Sequence, residues 1–317
     1  MSRIVVTGGS GRLGRSLVAG LAERGHDLVS LDRDASPELA THDVEQVTLD
    51  LTDAAATAQA LSDAHADAVI HLAAIAVPFS APEDVILRTN AALAMSVLGG
   101  AVAAGIPKIV AASSPTVLGY GAPNGWTPER LPLDEDSPPL PWNAYALSKL
   151  LIEQSLAMLQ RQTGEAVRFA AFRPCYVIAP EEWNGAPTQQ GHTVRERLDD
   201  PALSAPALFN YIDARDVAAF ADTLLDALGD IPNSEVFFVG ADDALAREPL
   251  AELLPRFHPG TARAAAELTG TAPAFSNAKA RRLLGWAPQY SWRTALRDSD
   301  TRKDRSAWTS TASSSSR

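Results

Sequence analysis

The sequence predicts an α/β protein whose parallel sheet carries helices on both faces, with a smaller lobe in its second half. Three observations lead there. Short apolar segments alternate with helix-patterned ones through the first half. Those short segments are apolar at nearly every position, as in strands buried on both faces. A glycine-rich turn joins the first apolar segment to the first helix.

The elements follow in order. Arg3 to Thr7 is a short run with β-branched residues, bounded by glycines. Leu13 to Arg24 places Leu13, Leu17, Val18 and Leu21 at helical spacing and stops near Gly25. Leu28 to Asp32 and Val47 to Leu51 read as the second and third strands. Asp53 is placed to cap an alanine-rich helix reaching Ala64. Ala68 to Ala74 is a fourth strand, Glu83 to Gly105 a helix, and Lys108 to Ser113 a fifth strand. Tyr145 to Gln162 is a long helix. Before it, Gly119 to Pro141 is rich in Gly, Pro and acidic residues and reads as a loop over the sheet. Loops of that length in compact domains are usually functional or mobile. After Val167 the pattern loosens. Val167 to Phe172 is a strand, Pro180 to Phe209 is irregular, Asp213 to Leu228 a helix, Glu235 to Val239 a strand and Ser276 to Leu284 a short helix. This half is expected to complete a substrate pocket.

Composition narrows the function. With 317 residues and 46% apolar content, a sizeable core is available. A net charge of −11 and a pI near 5.0 argue against nucleic acid and anionic membranes as partners. No signal peptide is read before the first strand, and no apolar run reaches the ~18 residues of a membrane span. Cys175 is the single cysteine, so an internal disulfide is impossible. A cytoplasmic protein is the expectation.

The turn reads Thr7-Gly8-Gly9-Ser10-Gly11-Arg12-Leu13-Gly14, directly after a strand and opening a helix. Gly8 permits the tight turn, Gly11 lets the backbone approach a pyrophosphate, and Gly14 allows close helix–strand packing. The free N–H groups and dipole of the helix then stabilise the phosphates. This is a dinucleotide site. Asp32 ends the second strand about 20 residues on, where a carboxylate accepts hydrogen bonds from the adenosine ribose. That favours NAD. Arg12 and Arg33 lie near enough to pair with an additional 2′-phosphate, so NADP stays open. Asp50 ends the third strand, within reach of the adenine amine.

Tyr145-Ala146-Leu147-Ser148-Lys149 opens the long helix. One turn separates the tyrosine from the lysine, so both share a face. A phenol titrates near 10 and is a poor base at neutral pH. A nearby ammonium and the positive ring of oxidised nicotinamide both favour its phenolate. Ser113 and Ser114 end the fifth strand, on the side where α/β sheets bind ligands. Ser114 is therefore placed to hydrogen-bond the substrate oxygen whose proton Tyr145 removes, with Lys149 as its electrostatic partner and ribose ligand.

Together these pieces resemble the extended short-chain dehydrogenase/reductase family, also called the NAD-dependent epimerase/dehydratase family. The matching segments are Thr7-Gly8-x-x-Gly11-x-x-Gly14, Asp50-Leu51, His71-Leu72-Ala73-Ala74, Asn90, Ser113-Ser114-x-x-Val117-x-Gly119, Tyr145-x-x-x-Lys149, Arg173-Pro174, Tyr211-Ile212-Asp213-x-x-Asp216-Val217-Ala218 and Leu284-Gly285-Trp286-x-Pro288. They cover about residues 1–297. The resemblance implies a doubly wound parallel-sheet Rossmann fold with a smaller C-terminal substrate-binding lobe. It implies catalysis by Ser114, Tyr145 and Lys149, and a cofactor groove involving Leu51, Leu72, Ala73, Ala74, Asn90 and Pro174. Residues 1–175 would form the cofactor-binding domain and 176–297 mostly the substrate lobe, with elements returning to the first domain; the polar, Ser-rich 298–317 reads as a disordered tail. Many members dimerise through the tyrosine-bearing helix, for which Leu150, Leu151, Leu156 and Leu159 supply a candidate face.

Departures from the family pattern bear on the reaction. Pro115-Thr116 stands where sugar-nucleotide dehydratases carry Asp-Glu, which removes the acid–base pair for water loss. Phe209 stands where many nucleotide-sugar epimerases place an arginine for the substrate pyrophosphate; Arg195, Arg197 and Arg247 remain as substitutes. Val117-Leu118-Gly119-Tyr120 is closer to uronate dehydrogenase-like members than the usual Val-Tyr-Gly. The expected activity is thus a dehydrogenase or reductase acting on a carbohydrate-like small molecule. The alternatives are a nucleotide-sugar epimerase holding NAD tightly and a non-catalytic dinucleotide-binding protein. No histidine spacing suits a metal. His71 reads as a structural group near the cofactor loop and Cys175 as buried filler. Trp126, Trp142 and Trp183 read as residues of the loops over the pocket.

Overall fold

The computed structural model describes residues 1–296. Its main sheet is built from β1 (Arg3–Thr7), β2 (Asp27–Asp32), β3 (Glu45–Thr48), β4 (Ala68–His71), β5 (Lys108–Ala112) and β6 (Arg168–Pro174), joined late by a strand at Glu235–Val239. All pairings are parallel, and the spatial order is β3-β2-β1-β4-β5-β6 followed by that late strand. The chain thus winds one way from β1 and then the other from β4. The two carboxyl ends at this reversal diverge and leave a crevice.

The helices are α1 (Arg12–Ala22), α2 (Ala54–Ala64), α3 (Glu83–Ala103) and α4 (Ala144–Thr163) in the first half. Strand residues alternate between the faces they fill. Ile4, Val6, Ile70 and Val110 join Leu17 and Leu21 of α1 in one buried cluster. Val5, Val69 and Ile109 join Leu61 of α2, Leu98 of α3 and Ile152 of α4 in the other. Both faces are covered, which is why the strand segments are apolar throughout. The Asp53 carboxylate accepts from the N–H groups of Ala55 and Ala56, so it caps α2 as the sequence predicts.

Beyond β6 come β7 (Val177–Ile178), α5 (Pro180–Trp183), α6 (Val194–Asp199), β8 (Ile212–Asp213), α7 (Ala214–Ala227), β9 (Glu235–Val239), α8 (Leu250–Phe257), α9 (Ala262–Ala265) and α10 (Ala278–Leu284). β7 and β8 form a separate parallel pair. Ile178, Trp183, Val194, Leu198, Tyr211 and Leu245 make a separate small core. β9 and α7 return to the main sheet and its helical layer, with Phe220 packed on Phe172 and Phe237.

Several expectations need correction. The third strand is Glu45–Thr48, not Val47–Leu51. It lies at the sheet edge, where polar residues are tolerated and apolar patterning misleads. The fourth strand stops at His71, and Leu72 to Ala74 form the following loop. Pro180–Phe209 holds two short helices; the second starts with a capping box between Thr193 and Glu196. α3 has an 18-residue window of mean hydropathy 1.5, long and apolar enough on composition to cross a membrane. Its Ile86, Ala94, Val97 and Leu98 are instead buried within the protein. Leu156 and Leu159 are also buried in the core, so they offer no dimer face, and Leu150 and Leu151 are only partly exposed. The tail 298–317 lies outside the described residues.

One buried polar network ties α4 to the sheet. Glu153 accepts from Arg173 Nε at 2.7 Å and Nη2 at 2.8 Å, and from Ser113 Oγ at 2.5 Å. All three side chains are buried. Removing one member of such a pair leaves the other charge stranded. Glu153→Ala should therefore cost about 3–5 kcal/mol, measured as a fall in the urea midpoint of unfolding. An unchanged midpoint would show that the pair does not anchor α4.

Candidate active site

The glycine turn lies at the reversal point between β1 and β4. Gly8 has φ +74°, and a Cβ there would approach the Ala73 backbone nitrogen to 2.7 Å. A Cβ on Gly14 would meet the Gly8 carbonyl at 2.1 Å. Both glycines are thus required by the packing of the turn on the β4 loop and on itself. Gly11 differs: a Cβ there would meet only the Gly8 carbonyl, at 3.1 Å. Protein packing makes a weaker demand at this position, as suits a residue whose outer side meets a pyrophosphate. No side chain caps the first turn of α1, which begins at Arg12 and Leu13, so its N–H groups face the crevice without a side-chain acceptor.

Asp32 borders the turn. One carboxylate oxygen accepts from Ser10 N at 3.0 Å and the other from Arg33 N at 2.8 Å. Asp50 is exposed, and its hydrogen bonds from Thr52 hold its carboxyl below the usual range. Leu51 is buried beneath it. The two arginines near the turn differ in their engagement. Arg33 is 85% exposed and beside Asp34. Arg12 turns away to Glu182 and the Val177 carbonyl. The residues present thus fit NAD.

Asn90 is fully engaged with protein groups. Its amide brackets Ile75, accepting from N at 2.8 Å and donating to O at 3.2 Å, and also donates to Ser148 Oγ at 3.0 Å. Ser148 in turn donates to the Tyr145 carbonyl. Asn90 therefore holds the loop containing Leu72, Ala73 and Ala74 in register with the catalytic helix. Pro174 ends β6, beside the crevice. His71 takes its expected structural place, with Nδ1 2.8 Å from Thr7 Oγ1. Burial, with a smaller push from the Lys149 charge, lowers its pKa to about 3, so it stays neutral.

The three proposed catalytic side chains come together. Ser114, Tyr145 and Lys149 are all buried. Asn143 caps α4 through Ala146 N, which fixes where Tyr145 begins the helix. Lys149 Nζ lies 5.9 Å from the Tyr145 ring centre and donates to the Ala112 carbonyl at 2.9 Å. Ser114 Oγ accepts from Thr116 N and Thr116 Oγ1 at 3.3 and 2.9 Å, leaving its own proton to donate. Burial raises the Tyr145 pKa, opposed by its hydrogen bond with Ser114; burial lowers Lys149 to about 8. The protein alone therefore favours the neutral phenol, and the second cation that the sequence reading invokes, the oxidised nicotinamide ring, is absent from that balance. Desolvation outweighs one cation.

Other aromatic residues sort by burial. Trp183 is buried and donates to Asp213, so it lies beneath the second lobe and not over the pocket. Trp126 and Trp142 donate to the Leu118 and Tyr120 carbonyls and pin the long loop. Phe209 is buried against Phe257. Cys175 is buried, and burial pushes its thiol pKa up, as for a filler. Sequence reading missed Glu182 and Asn210. Glu182 lies 170 residues from its partner Arg12, and Asn210 accepts from Tyr176 N at 2.7 Å. No local pattern reveals either contact.

Similarity to known proteins agrees with this geometry. Residues 4–240 match the model of the NAD dependent epimerase/dehydratase family. UDP-glucose 4-epimerase of Corynebacterium glutamicum is 26% identical over 319 residues, 93% of this chain and 94% of that protein. UDP-glucose 4-epimerase of Azospirillum brasilense is 36% identical over 162 residues, and the chain spans only 43% of that relative's length in the match. A short-chain dehydrogenase/reductase superfamily structure from Agrobacterium tumefaciens with bound NAD superposes with a TM-score of 0.69, at 26% identity over 97% of this chain and 99% of that one. With its doubly wound sheet, its glycine turn and the family model matching residues 4–240, the chain belongs to the NAD-dependent epimerase/dehydratase family of extended short-chain dehydrogenases/reductases, whose cofactor is NAD.

Proposed function

We propose that the protein is an NAD-dependent oxidoreductase acting at a hydroxyl or carbonyl carbon of a carbohydrate-like small molecule, a sugar or sugar acid. The observation that carries this is that Ser114, Tyr145 and Lys149 are all buried at the carboxyl end of β5, with Lys149 Nζ 5.9 Å from the Tyr145 ring centre and hydrogen-bonded to the Ala112 carbonyl. Bound NAD supplies the hydride acceptor or donor, and its positive ring in the oxidised form adds a cation to the pocket. Ser114 donates to the substrate oxygen and orients it. Tyr145 takes that oxygen's proton during oxidation and returns one during reduction. Lys149, which donates to the Ala112 carbonyl, would stabilise phenolate character and would hold the nicotinamide ribose. The single buried cysteine suits a reducing cytoplasm.

Nucleotide-sugar epimerisation is the second reading, favoured by the relatives, most of which are UDP-glucose 4-epimerases. Against it, Phe209 is buried in an aromatic contact and offers a pyrophosphate no charge. Pro115 and Thr116 offer no proton-transfer groups for dehydration. We also propose a homodimer, in which Met95 of α3 and Leu147 and Met158 of α4 are covered by a second copy. These side chains are 43%, 43% and 38% exposed, and α3 and α4 pack side by side, so the three stand on one helical layer.

A spectroscopic screen tests the reaction. The protein is mixed with NAD and, separately, free sugars, uronic acids and UDP-sugars, and NADH absorbance is followed. Net NADH from a free sugar or sugar acid is expected; interconversion of a UDP-sugar without net NADH would favour the epimerase. Tyr145→Phe should lower turnover at least about a thousandfold while NAD affinity stays within about threefold, read from kinetics and a fluorescence titration. Undiminished turnover sinks the mechanism. The ammonium of Lys149 is lost as pH rises through about 8. NAD affinity should therefore weaken above that pH, and Lys149→Met should flatten the dependence. A flat profile in the parent protein would remove Lys149 from cofactor binding.

A further inference from the structure

Arg197, on α6, is one of the largest fully buried side chains in the protein, 1% exposed. No described carboxylate forms a salt bridge with it. Its Nη1 donates to Gln190 Oε1 at 2.5 Å, and its guanidinium lies 4.3 Å from the Tyr176 ring centre. Its Nε is buried without any partner, and so is the Tyr176 hydroxyl. A buried donor left unpaired is expensive, and a buried charge more so.

The nearest candidate counter-charge is already used. Glu182 acts on Arg197 electrostatically but not through a hydrogen bond. Its carboxylate is bidentate to Arg12, and one oxygen also accepts from Ala179 N at 3.0 Å. Arg12 also faces the Tyr176 ring, at 5.9 Å. Two guanidiniums and one carboxylate surround Tyr176, an excess of one positive charge. Burial pulls the Arg197 pKa down, in keeping with an uncompensated cation.

The cluster lies beside the reaction site. Tyr176 is two residues beyond Pro174 at the carboxyl end of β6. Its N–H donates to Asn210 Oδ1 at 2.7 Å. Arg12 opens α1 from the glycine turn. Through Arg12, which reaches Glu182 and the Val177 carbonyl, the unpaired atoms lie in the buried seam that joins the glycine turn to the second lobe.

We propose that Arg197 and the Tyr176 hydroxyl bind an anionic oxygen group of the substrate, a carboxylate or a phosphate. A single anion there would neutralise the excess charge and satisfy both orphaned atoms. The proposal rests on the carbohydrate-like substrate argued above and narrows it to an acidic one. It also supplies the charge that Phe209 lacks, from a different element.

The test is a binding comparison on the NAD-loaded protein. Glucuronate, glucose 6-phosphate, UDP-glucose and neutral glucose are titrated by calorimetry against parent, Arg197→Gln and Tyr176→Phe proteins, and NAD affinity is measured in each. At least one of the three acidic ligands should bind at least about tenfold more tightly than glucose. Arg197→Gln should abolish that preference while NAD affinity stays within about threefold, and Tyr176→Phe should weaken it about three- to tenfold. Preference for glucuronate assigns a carboxylate, and preference for either phosphorylated ligand a phosphate. Equal binding of glucose and the acidic ligands, no binding of any of the four, or a tenfold loss of NAD affinity in Arg197→Gln overturns the proposal. If Arg197→Gln fails to fold, the near-isosteric Tyr176→Phe decides alone. Acid-selective binding with no NADH formed would instead overturn the oxidoreductase reading and leave this one standing.

Discussion

The close approach of the glycine turn to the loop after β4 governs the rest of this structure. β1 and β4 are neighbours, but their connections leave in opposite directions. Their carboxyl ends must part, and both following loops enter the same space. Gly8 solves the collision by having no Cβ to strike Ala73. The small residues Ala73 and Ala74 answer it from the other side. Once the two loops are seated, the N-terminus of α1 is aimed across the crevice, and the position of the dinucleotide follows.

The catalytic helix is registered to that crevice by buried polar contacts. Asn90 connects Ile75 in the cofactor loop to Ser148 and, through it, to the Tyr145 carbonyl. One turn beyond Lys149, Glu153 links Ser113 to Arg173. Apolar packing tolerates small slides of a helix on a sheet. Directional hydrogen bonds do not, and an unpaired partner would be costly in a dry interior. The same residues thus stabilise the fold and set the distance from Ser114 to Tyr145.

What the sequence disclosed follows from the range of each interaction. Fully apolar strands, the glycine turn and the Tyr145–Lys149 spacing are local patterns, so β1, β2, β5 and the cofactor crevice were legible. β3 was misplaced because an edge strand needs no continuous apolar run, and Glu45 and Gln46 conceal it. Pro180 to Phe209 looked irregular because α5 and α6 are too short to show a period. The burial of Arg197 was not legible at all, since a charged residue on a short helix ordinarily points to water. The Arg12–Glu182 pair depends on two lobes meeting, and no window of sequence spans it. The leucines of α4 divide between two sides: Leu156 and Leu159 face the core, whereas Leu151 shares the outer side with the exposed Leu147 and Met158.

Desolvation then explains how the site controls its own proton. Burial raises the Tyr145 pKa and lowers that of Lys149, so both groups are driven toward their neutral forms. A phenol of this kind is inert toward stray electrophiles. It becomes a base only when positive charge is placed beside it in the same low-dielectric space, where that charge acts strongly. In the proposed mechanism Lys149, its pKa lowered to about 8, would supply part of that charge, and the ring of oxidised NAD would supply more. The dry pocket therefore couples proton transfer to cofactor occupancy: the burial that makes Tyr145 a poor base alone is what makes an added cation effective.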